Sequence, residues 1–182
     1  MNFKLPVTTS RLCLKRESLN DFERFFEMSK DPEVMKYIGD GSIYHWTLNV
    51  ALAKFRAGLM CSTEIEPGNL AVYTNHSECY IGCCGIRYSK FLDHIELGYR
   101  YCSDAWGNGF ATEAAAALLE ATYQMTNIDR ILACTHPGNI ASIRVLEKIG
   151  FIRFDTKYSR ASGQAILIYE ICRQTFYPGT GC

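Results

Sequence analysis

The sequence lacks a long apolar run, a net charge and any sign of an export signal. No apolar stretch approaches the roughly 20 residues that a membrane-spanning helix needs, and the first residues lack the apolar core of a signal peptide. Lysine plus arginine and aspartate plus glutamate each number 19, so the formal net charge is zero. Without a basic surface, binding to nucleic acid or to an anionic membrane is not expected. We expect a cytoplasmic location.

The nine cysteines include no Cys-x-x-Cys pair, so the sequence gives little support for a zinc or redox site. In a reducing compartment they should all be thiols. Five of them lie in apolar, strand-like runs, where a free thiol behaves as a small core residue: Cys13, Cys83, Cys84, Cys134 and Cys172. Cys182 is the cysteine expected to be exposed and reactive. No metal ion is predicted.

Length and apolar content fit one domain over residues 1–182. Hydrophobic residues make up 48% of the chain and aromatic residues 13%, enough for a proper core, and neither repeats nor linkers interrupt it. Helical spacing predicts two amino-terminal helices, one from the cap Ser18 to Asp31 and one over residues 45–59. Alternation and short apolar runs predict strands at residues 11–16, 70–74, 80–87, 95–101, 130–135, 152–158 and 164–172.

A glycine turn precedes a long helical run: Trp106-Gly107-Asn108-Gly109-Phe110-Ala111-Thr112-Glu113. Glycine allows a ligand to lie against the main chain. The helix that follows leaves its first N–H groups without intrahelical partners and directs its positive dipole end at the turn. The turn therefore predicts a site for an anionic group, most often a phosphate, although a tight turn without a ligand has the same pattern. The helix dipole alone accounts for Glu113.

Together with this turn, three further segments resemble the GNAT superfamily of acyl-CoA-dependent N-acyltransferases. They are Thr9-Ser10-Arg11-Leu12, Asp31-Pro32-Glu33-Val34-Met35 and the block from Asn139 to Phe151. The resemblance covers residues 8–172. It is strongest to the RimJ/RimL branch, which acetylates protein N-termini and has many relatives that act on small amines. It implies an α/β fold with a mixed, mostly antiparallel sheet of about seven strands and helices on both faces, and a cofactor cleft between the fourth and fifth strands.

The resemblance also implies which residues hold coenzyme A. Main-chain groups around residues 97–101 would pair with the pantetheine arm, and N–H groups of residues 106–112 would bind the pyrophosphate. Trp106 replaces a Gln or Arg of many relatives, which leaves the backbone site intact. Asn139 matches a residue that touches the cofactor arm, and a helix N-cap is a compatible alternative. The expected cofactor-binding residues are Leu97, Gly98, Tyr99, Trp106, Gly107, Asn108, Gly109, Phe110, Ala111, Thr112 and Asn139.

Two residues are the candidate catalytic residues. Glu96 matches a strand-four glutamate that acts as a general base, directly or through water; a strand-face glutamate paired with Arg100 or His94 is the alternative. Many members carry a tyrosine as proton donor later in the last helix, where this chain has Leu146. Ser142 is therefore the candidate donor or thiol-orienting group, and a serine that only caps the helix is the alternative. Gly98, in the same strand as Glu96, is typical of a bulge or of a close approach by ligand.

The resemblance thus implies an N-acetyltransferase that moves the acetyl group of acetyl-CoA to a primary amine by direct attack in a ternary complex. The acceptor would be a protein N-terminal α-amine or a small molecule, and the two amino-terminal helices would wall its site. No covalent intermediate is required, because holding thioester and amine together can supply roughly 7–11 kcal/mol. A CoA-binding regulatory or adaptor module without catalysis is the alternative. Monomer and homodimer both stay open.

Overall fold

The computed structural model describes residues 3–39, 42–59, 67–159 and 163–176 of the chain. The remaining positions include Asp40 and Gly41, expected in a loop, and Glu66, expected in a turn. Part of the expected hairpin turn at residues 159–163 and the expected reactive Cys182 are also among them. Those expectations therefore lie outside the described residues.

Within the described residues, eight strands form one sheet: β1 (Val7–Thr8), β2 (Leu12–Arg16), β3 (Gly68–Thr74), β4 (Tyr80–Ser89), β5 (His94–Tyr101), β6 (Arg130–Thr135), β7 (Ile152–Tyr158) and β8 (Ala165–Cys172). Their order is β1-β2-β3-β4-β5-β6-β8-β7. Every neighbouring pair is antiparallel except β5 and β6, which are parallel. The predicted mixed, mostly antiparallel sheet of an α/β fold is confirmed. The strand beyond the predicted seven is β1, whose two residues are too few to leave a sequence pattern.

The helices of the described ranges are α1 (Phe22–Lys30), α2 (Pro32–Met35), α3 (Leu48–Leu59), α4 (Phe110–Met125), α5 (Ile140–Lys148) and α6 (Arg173–Phe176). None of them is long and apolar enough to cross a membrane. The predicted helix over residues 45–59 begins only at Leu48, so its predicted start is wrong. Thr47 is the reason, because its side-chain oxygen accepts a hydrogen bond from the N–H of Val50 at 3.4 Å and so caps the helix.

Helices cover both faces of the sheet, as predicted. The face under α4 is closely packed because two alanines allow the helix to approach the strands. Its fully buried side chains include Ala114, Ala115, Leu118 and Leu119. On the other face, Met35 of α2 packs against Cys83 of β4, and Phe55 of α3 contacts Phe25 of α1 at 4.7 Å between ring centres. Ala111, one of the expected cofactor-binding residues, lies in the first turn of α4 and is only partly buried.

β5 and β6 separate soon after they pair. Their parallel register consists of one pair, Glu96 with Leu132, whereas β5 and β4 pair continuously from Gly82–Tyr101 to Ser89–His94. The sheet therefore opens between the carboxyl-terminal halves of β5 and β6, which we call the β5–β6 gap. The gap lies between the fourth and fifth predicted strands, where the cofactor cleft is expected.

Candidate active site

The loop between β5 and α4 presents a row of free backbone N–H groups. We call residues 106–112 the glycine loop. Gly107 and Gly109 have φ angles of 79° and 78°, in the left-handed region that glycine adopts without strain, and Gly109 directly precedes α4. Among the described residues, none accepts a hydrogen bond from the N–H groups of residues 107–112. These N–H groups and the helix dipole make a site that fits a phosphate or pyrophosphate.

The polar side chains of the glycine loop hold the loop itself. Trp106 Nε1 donates to the carbonyl oxygen of Tyr101 at 3.0 Å, and Asn108 Nδ2 donates to the carbonyl oxygen of Trp106 at 3.1 Å. A Cβ added at Gly107 would meet no atom within 4 Å, so the space beside the loop is open. The side chains thus fix the loop geometry and leave its backbone for a ligand.

Arg11 ties the glycine loop to the start of β2. Its guanidinium lies 2.5 Å from Glu113 Oε2 and donates to the carbonyl oxygen of Asn108 at 3.0 Å. Thr9 Oγ1 donates to Glu113 Oε1 at 2.5 Å. Burial alone would raise the pKa of the Glu113 carboxyl, but the hydrogen bonds from Thr9 and Arg11 lower the pKa overall. The explanation of Glu113 by the helix dipole alone is therefore wrong, because this carboxylate anchors the loop to the amino-terminal strand.

On the α4 face of the sheet, Tyr99 meets the first turn of α5. Tyr99 Oη lies 3.1 Å from Ser142 Oγ and donates to the Ser142 carbonyl oxygen at 3.2 Å. Asn139 Oδ1 accepts a hydrogen bond from the Ser142 N–H at 3.1 Å, so Asn139 caps α5, which is one of its two expected roles. Burial raises the pKa of the Tyr99 phenol and outweighs the opposing hydrogen bond to Ser142. The phenol therefore keeps its proton at neutral pH.

From the sequence, only the main chain of Tyr99 is expected to bind the cofactor. The contact of its side chain with Ser142 was not predicted. Leu146, at the position of the family tyrosine, is 1% exposed and packs in the core. The phenol beside Ser142 comes instead from β5. The alternation in β5 carries no information about which helix crosses the face on which Tyr99 lies.

On the opposite face of β5, Glu96 contacts a cysteine of β6. Glu96 Oε1 accepts a hydrogen bond from Cys134 Sγ at 2.9 Å. Burial, the nearby charge of Glu96 and this hydrogen bond raise the pKa of the Cys134 thiol, so it is protonated at neutral pH. Among the described residues, Glu96 forms no ion pair within 4 Å, and the alternative pairing with Arg100 or His94 is not found.

The other cysteines divide between core and partly exposed positions. The seven that the structure describes are free thiols. Cys83 and Cys84 are buried as expected, and the partly buried Cys134 packs against a buried cluster that contains Leu132 and Ile168. Cys13 and Cys172 are only partly buried, so the expectation of a core thiol is wrong for these two. Within the described ranges, no group of three or more His, Cys, Asp or Glu side chains could hold a metal ion.

Gly98 lies between Glu96 and Arg100 on the same face of β5. The register between β4 and β5 continues through Gly98 without a shift, so the expected bulge is wrong. A Cβ added at Gly98 would meet no atom within 4 Å. The open space leaves room for a ligand beside Glu96, so a close approach by ligand, the alternative to a bulge, stays a prediction.

β5 therefore carries different chemistry on its two faces. Glu96 and Arg100 face the side of α1 to α3, where the Arg100 guanidinium lies 5.0 Å from the ring centre of Phe25. Tyr99 faces the side of α4 and α5, where it meets Ser142. The β5–β6 gap therefore has a carboxylate on one side and two hydroxyl groups on the other.

Known proteins are similar to this chain in sequence. A family model described as an acetyltransferase (GNAT) domain matches residues 11–152. YkkB of Bacillus subtilis, named an uncharacterized protein, is 38% identical over 179 residues, which cover 93% of this chain and 97% of YkkB. YnaD of Bacillus subtilis, named an uncharacterized N-acetyltransferase, is 32% identical over 150 residues, which cover 82% of this chain and 84% of YnaD.

Solved structures share the fold. An acetyltransferase of the GNAT family from Bacillus anthracis is similar with a TM-score of 0.78 at 24% identity, over 92% of this chain and 98% of that chain. RimL, a ribosomal L7/L12 α-N-protein acetyltransferase in complex with coenzyme A, has a TM-score of 0.78 at 11% identity, over 92% and 98% of the two chains. Spermidine N-acetyltransferase from Vibrio cholerae, in complex with coenzyme A and spermine, has a TM-score of 0.75 at 14% identity, over 92% and 99%. The chain belongs to the GNAT N-acetyltransferases, enzymes whose acetyl donor is acetyl-CoA.

Proposed function

We propose that this acetyltransferase acts in the cytoplasm on a primary amine, by direct attack of the amine on acetyl-CoA in a ternary complex, and that it belongs to the RimJ/RimL-like branch. The acceptor is a protein N-terminal α-amine or a small-molecule amine. RimL is named for the first kind of acceptor and the Vibrio cholerae enzyme for the second. The observation that carries the proposal is the division of β5, with Glu96 on one face and Tyr99 beside Ser142 on the other.

The glycine loop and β5 account for cofactor binding in this proposal. Acetyl-CoA supplies the thioester that the amine attacks. The free N–H groups of residues 107–112 would bind its pyrophosphate, and main-chain groups of residues 97–99 would pair with the pantetheine arm, because β6 does not pair with them. Asn139 uses its side-chain oxygen to cap α5 and keeps its amide nitrogen for the cofactor arm.

Glu96 is the proposed general base. It lies on the face that carries the open space at Gly98, so an amine that approaches from the α1 to α3 side reaches the carboxylate. Glu96 removes a proton from the amine directly or through water, which makes the nitrogen a nucleophile. Main-chain N–H groups of β5 that face the β5–β6 gap would stabilise the negative charge that develops on the carbonyl oxygen.

Ser142 is the proposed proton donor to the departing thiolate. Tyr99 Oη, 3.1 Å from Ser142 Oγ, holds the hydroxyl in place and can return a proton to it. A route through an acetylated Cys134 has a poor nucleophile, because the raised pKa of that thiol keeps it protonated. Direct attack therefore fits the side chains better than a covalent intermediate.

Initial-rate kinetics test the proposal. The rate of thiol release is measured with acetyl-CoA and each of a panel of amino-terminal peptides and small amines, with both substrates varied. A ternary complex predicts intersecting double-reciprocal lines, and Cys134→Ala should keep the same pattern. Parallel lines in the wild type that are not seen with Cys134→Ala would indicate a covalent intermediate on Cys134 and would contradict direct attack.

A further inference from the structure

A groove lies on the Glu96 side of the sheet, between the end of α3 and the strands β3 and β4. Its volume is about 330 Å³. The groove leads toward the proposed base, because Arg87 in its wall is the direct cross-strand neighbour of Glu96, and side chains opposite each other on adjacent antiparallel strands share a face. Its lining includes Arg16, Glu17, Gly58, Asn69 and Arg87.

Arg87 and Glu96 are neighbours of opposite charge that do not pair. Arg87 Nη1 donates to Asn69 Oδ1 at 2.8 Å, and Glu96 accepts from Cys134 Sγ at 2.9 Å, so each side chain has a partner other than its neighbour. None of the ion pairs among the described residues includes Arg16 or Arg87. The surface is therefore polarised, with positive charge in the groove and negative charge at the β5–β6 gap.

Glu17 lies at the inner wall of the groove with an unsatisfied carboxyl oxygen. Its Oε1 is buried and, among the described residues, has no hydrogen-bond partner, which is unfavourable for a carboxylate. The charged groups that act on Glu17 are Arg100 of β5, Arg87 of β4 and Asp21 before α1. Burial raises the pKa of Glu17 to about 7 despite the two arginines. In its neutral form the carboxyl becomes a hydrogen-bond donor that can face an anion.

We propose that this groove binds a carboxylate of the acceptor, so that the acceptor is a primary amine that also carries a carboxylate several bonds away. Arg87 provides the main positive charge, with a fork geometry that suits a carboxylate, and Glu17 donates the additional hydrogen bond. The amine of the same molecule then lies toward Glu96. The Cα atoms of Arg87 and Glu96 are roughly 5 Å apart across the two strands, and the acceptor must span this separation together with the lengths of the two side chains. This inference rests on the proposed function of Glu96 and names the acceptor class of the same site.

Matched acceptors test the proposed groove. The full-length protein is assayed for thiol release with acetyl-CoA and three series of equal chain lengths: ω-amino acids, alkyl monoamines and alkyl diamines. At the best length, kcat/KM for the ω-amino acid should exceed that for both other amines by about tenfold. Arg87→Gln should abolish this preference through KM of the ω-amino acid, while Arg153→Gln, an exposed arginine on β7, should retain it.

Two results would overturn the inference. One is a monoamine or diamine that is acetylated as well as the ω-amino acid of the same length, and the other is an Arg87→Gln variant, folded by its melting profile, that keeps the preference. Either result leaves the proposed acetyl transfer to amines in place. If none of the three series releases thiol but an amino-terminal peptide does, the inference fails and the proposed acetyl transfer stands. If neither these amines nor the peptides release thiol, both fail.

The pH dependence of the preference gives a second readout. The ratio of kcat/KM between ω-amino acid and monoamine cancels the titration of the amine itself. It should fall above about pH 7, where Glu17 loses its proton, and the fall should be absent in Glu17→Gln, whose amide stays a donor. If the ratio in the wild type is independent of pH, Glu17 does not donate a hydrogen bond to the carboxylate of the acceptor.

Discussion

Tyr99 Oη lies 3.1 Å from Ser142 Oγ, a contact that joins β5 to the first turn of α5. Asn139 already caps this helix, so Ser142 is not needed as the cap. The serine hydroxyl is held instead by a phenol whose raised pKa keeps its proton. The pair places two hydroxyl groups on one face of β5, whereas the later helix position at which many family members carry a tyrosine is the buried Leu146.

Removing the Ser142 hydroxyl should slow turnover without a large loss of stability. Because a thiolate leaves readily near neutral pH, a donor is helpful rather than indispensable, and Ser142→Ala should lower kcat by tenfold to a hundredfold (about 1.4–2.7 kcal/mol). Steady-state kinetics well below the melting temperature measure this. Full turnover in a variant that has lost about 0.5–2 kcal/mol of stability would mean that the serine only steadies the helix.

Tyr99→Phe should also lower kcat, by a smaller factor than Ser142→Ala. The phenylalanine retains the packing and removes the oxygen that holds Ser142 Oγ. Because both oxygens belong to one contact, the kcat loss of the double variant should be less than the product of the two single losses. A double variant whose losses multiply would show that Tyr99 acts independently of Ser142.

Changing Glu96 to Gln should separate a catalytic base from a structural side chain. The amide can still accept the hydrogen bond from Cys134 but cannot take a proton. Turnover should fall by roughly 10²–10⁴ with little change in cofactor affinity, and the loss should shrink at high pH, where amines deprotonate unaided. Glu96 is structural if the Gln variant keeps the pH–rate profile of the wild type.

Gly109→Ala should weaken the binding of coenzyme A. At φ 78° an alanine strains the backbone by roughly 1–2 kcal/mol, and the glycine loop relaxes by moving its N–H groups. Gly163→Ala is the matched control, since Gly163 has φ 67° and lies in the hairpin between β7 and β8, with open space around it. Calorimetric titration should show weaker binding in Gly109→Ala alone. Equal affinity for coenzyme A in both variants would mean that the pyrophosphate does not bind at the glycine loop.

The free energy of unfolding of the wild type should fall as pH rises, and Glu17→Gln should lack this fall. Burial raises the folded-state pKa of Glu17 from 4.5 to about 7, so between these values the folded chain keeps a proton that the unfolded chain has released. The contribution of Glu17 to the free energy of unfolding therefore falls as pH rises from about 4.5 to 7, by about 2–3 kcal/mol. Urea unfolding at pH 4.5 and 8 measures this, with the exposed Glu23→Gln as control. A wild type and a Glu17→Gln variant with parallel pH profiles would contradict the raised pKa.

Local patterns were sufficient for most of the strands and for the geometry of the glycine loop, whereas the arrangement of the sheet followed from the resemblance to the GNAT superfamily. The glycines at 107 and 109 and the helix after them are adjacent in sequence, so one turn predicts both the loop geometry and the row of free N–H groups. Likewise, Asn139 and Ser142 are three residues apart at a helix start, and the sequence predicts the N-cap.

Contacts between distant segments could not be predicted in this way. Glu96 and Cys134 are 38 residues apart and meet only because β5 and β6 are parallel neighbours. Arg11 and Glu113 are 102 residues apart, and neither side chain carries a local signal for the other. The start of α3 was missed for a simpler reason, since the capping Thr47 lies among aromatic residues that resemble helix positions.

The central claim is that Glu96 drives acetyl transfer from acetyl-CoA to an amine. Mass spectrometry of a panel of peptides and small primary amines, incubated with acetyl-CoA and either wild type or Glu96→Gln, tests it most directly. We predict that the wild type acetylates at least one amine with release of one coenzyme A thiol for each acetyl group, and that Glu96→Gln, which still binds coenzyme A, slows this by roughly 10²–10⁴. Equal acetylation by both proteins would contradict the account.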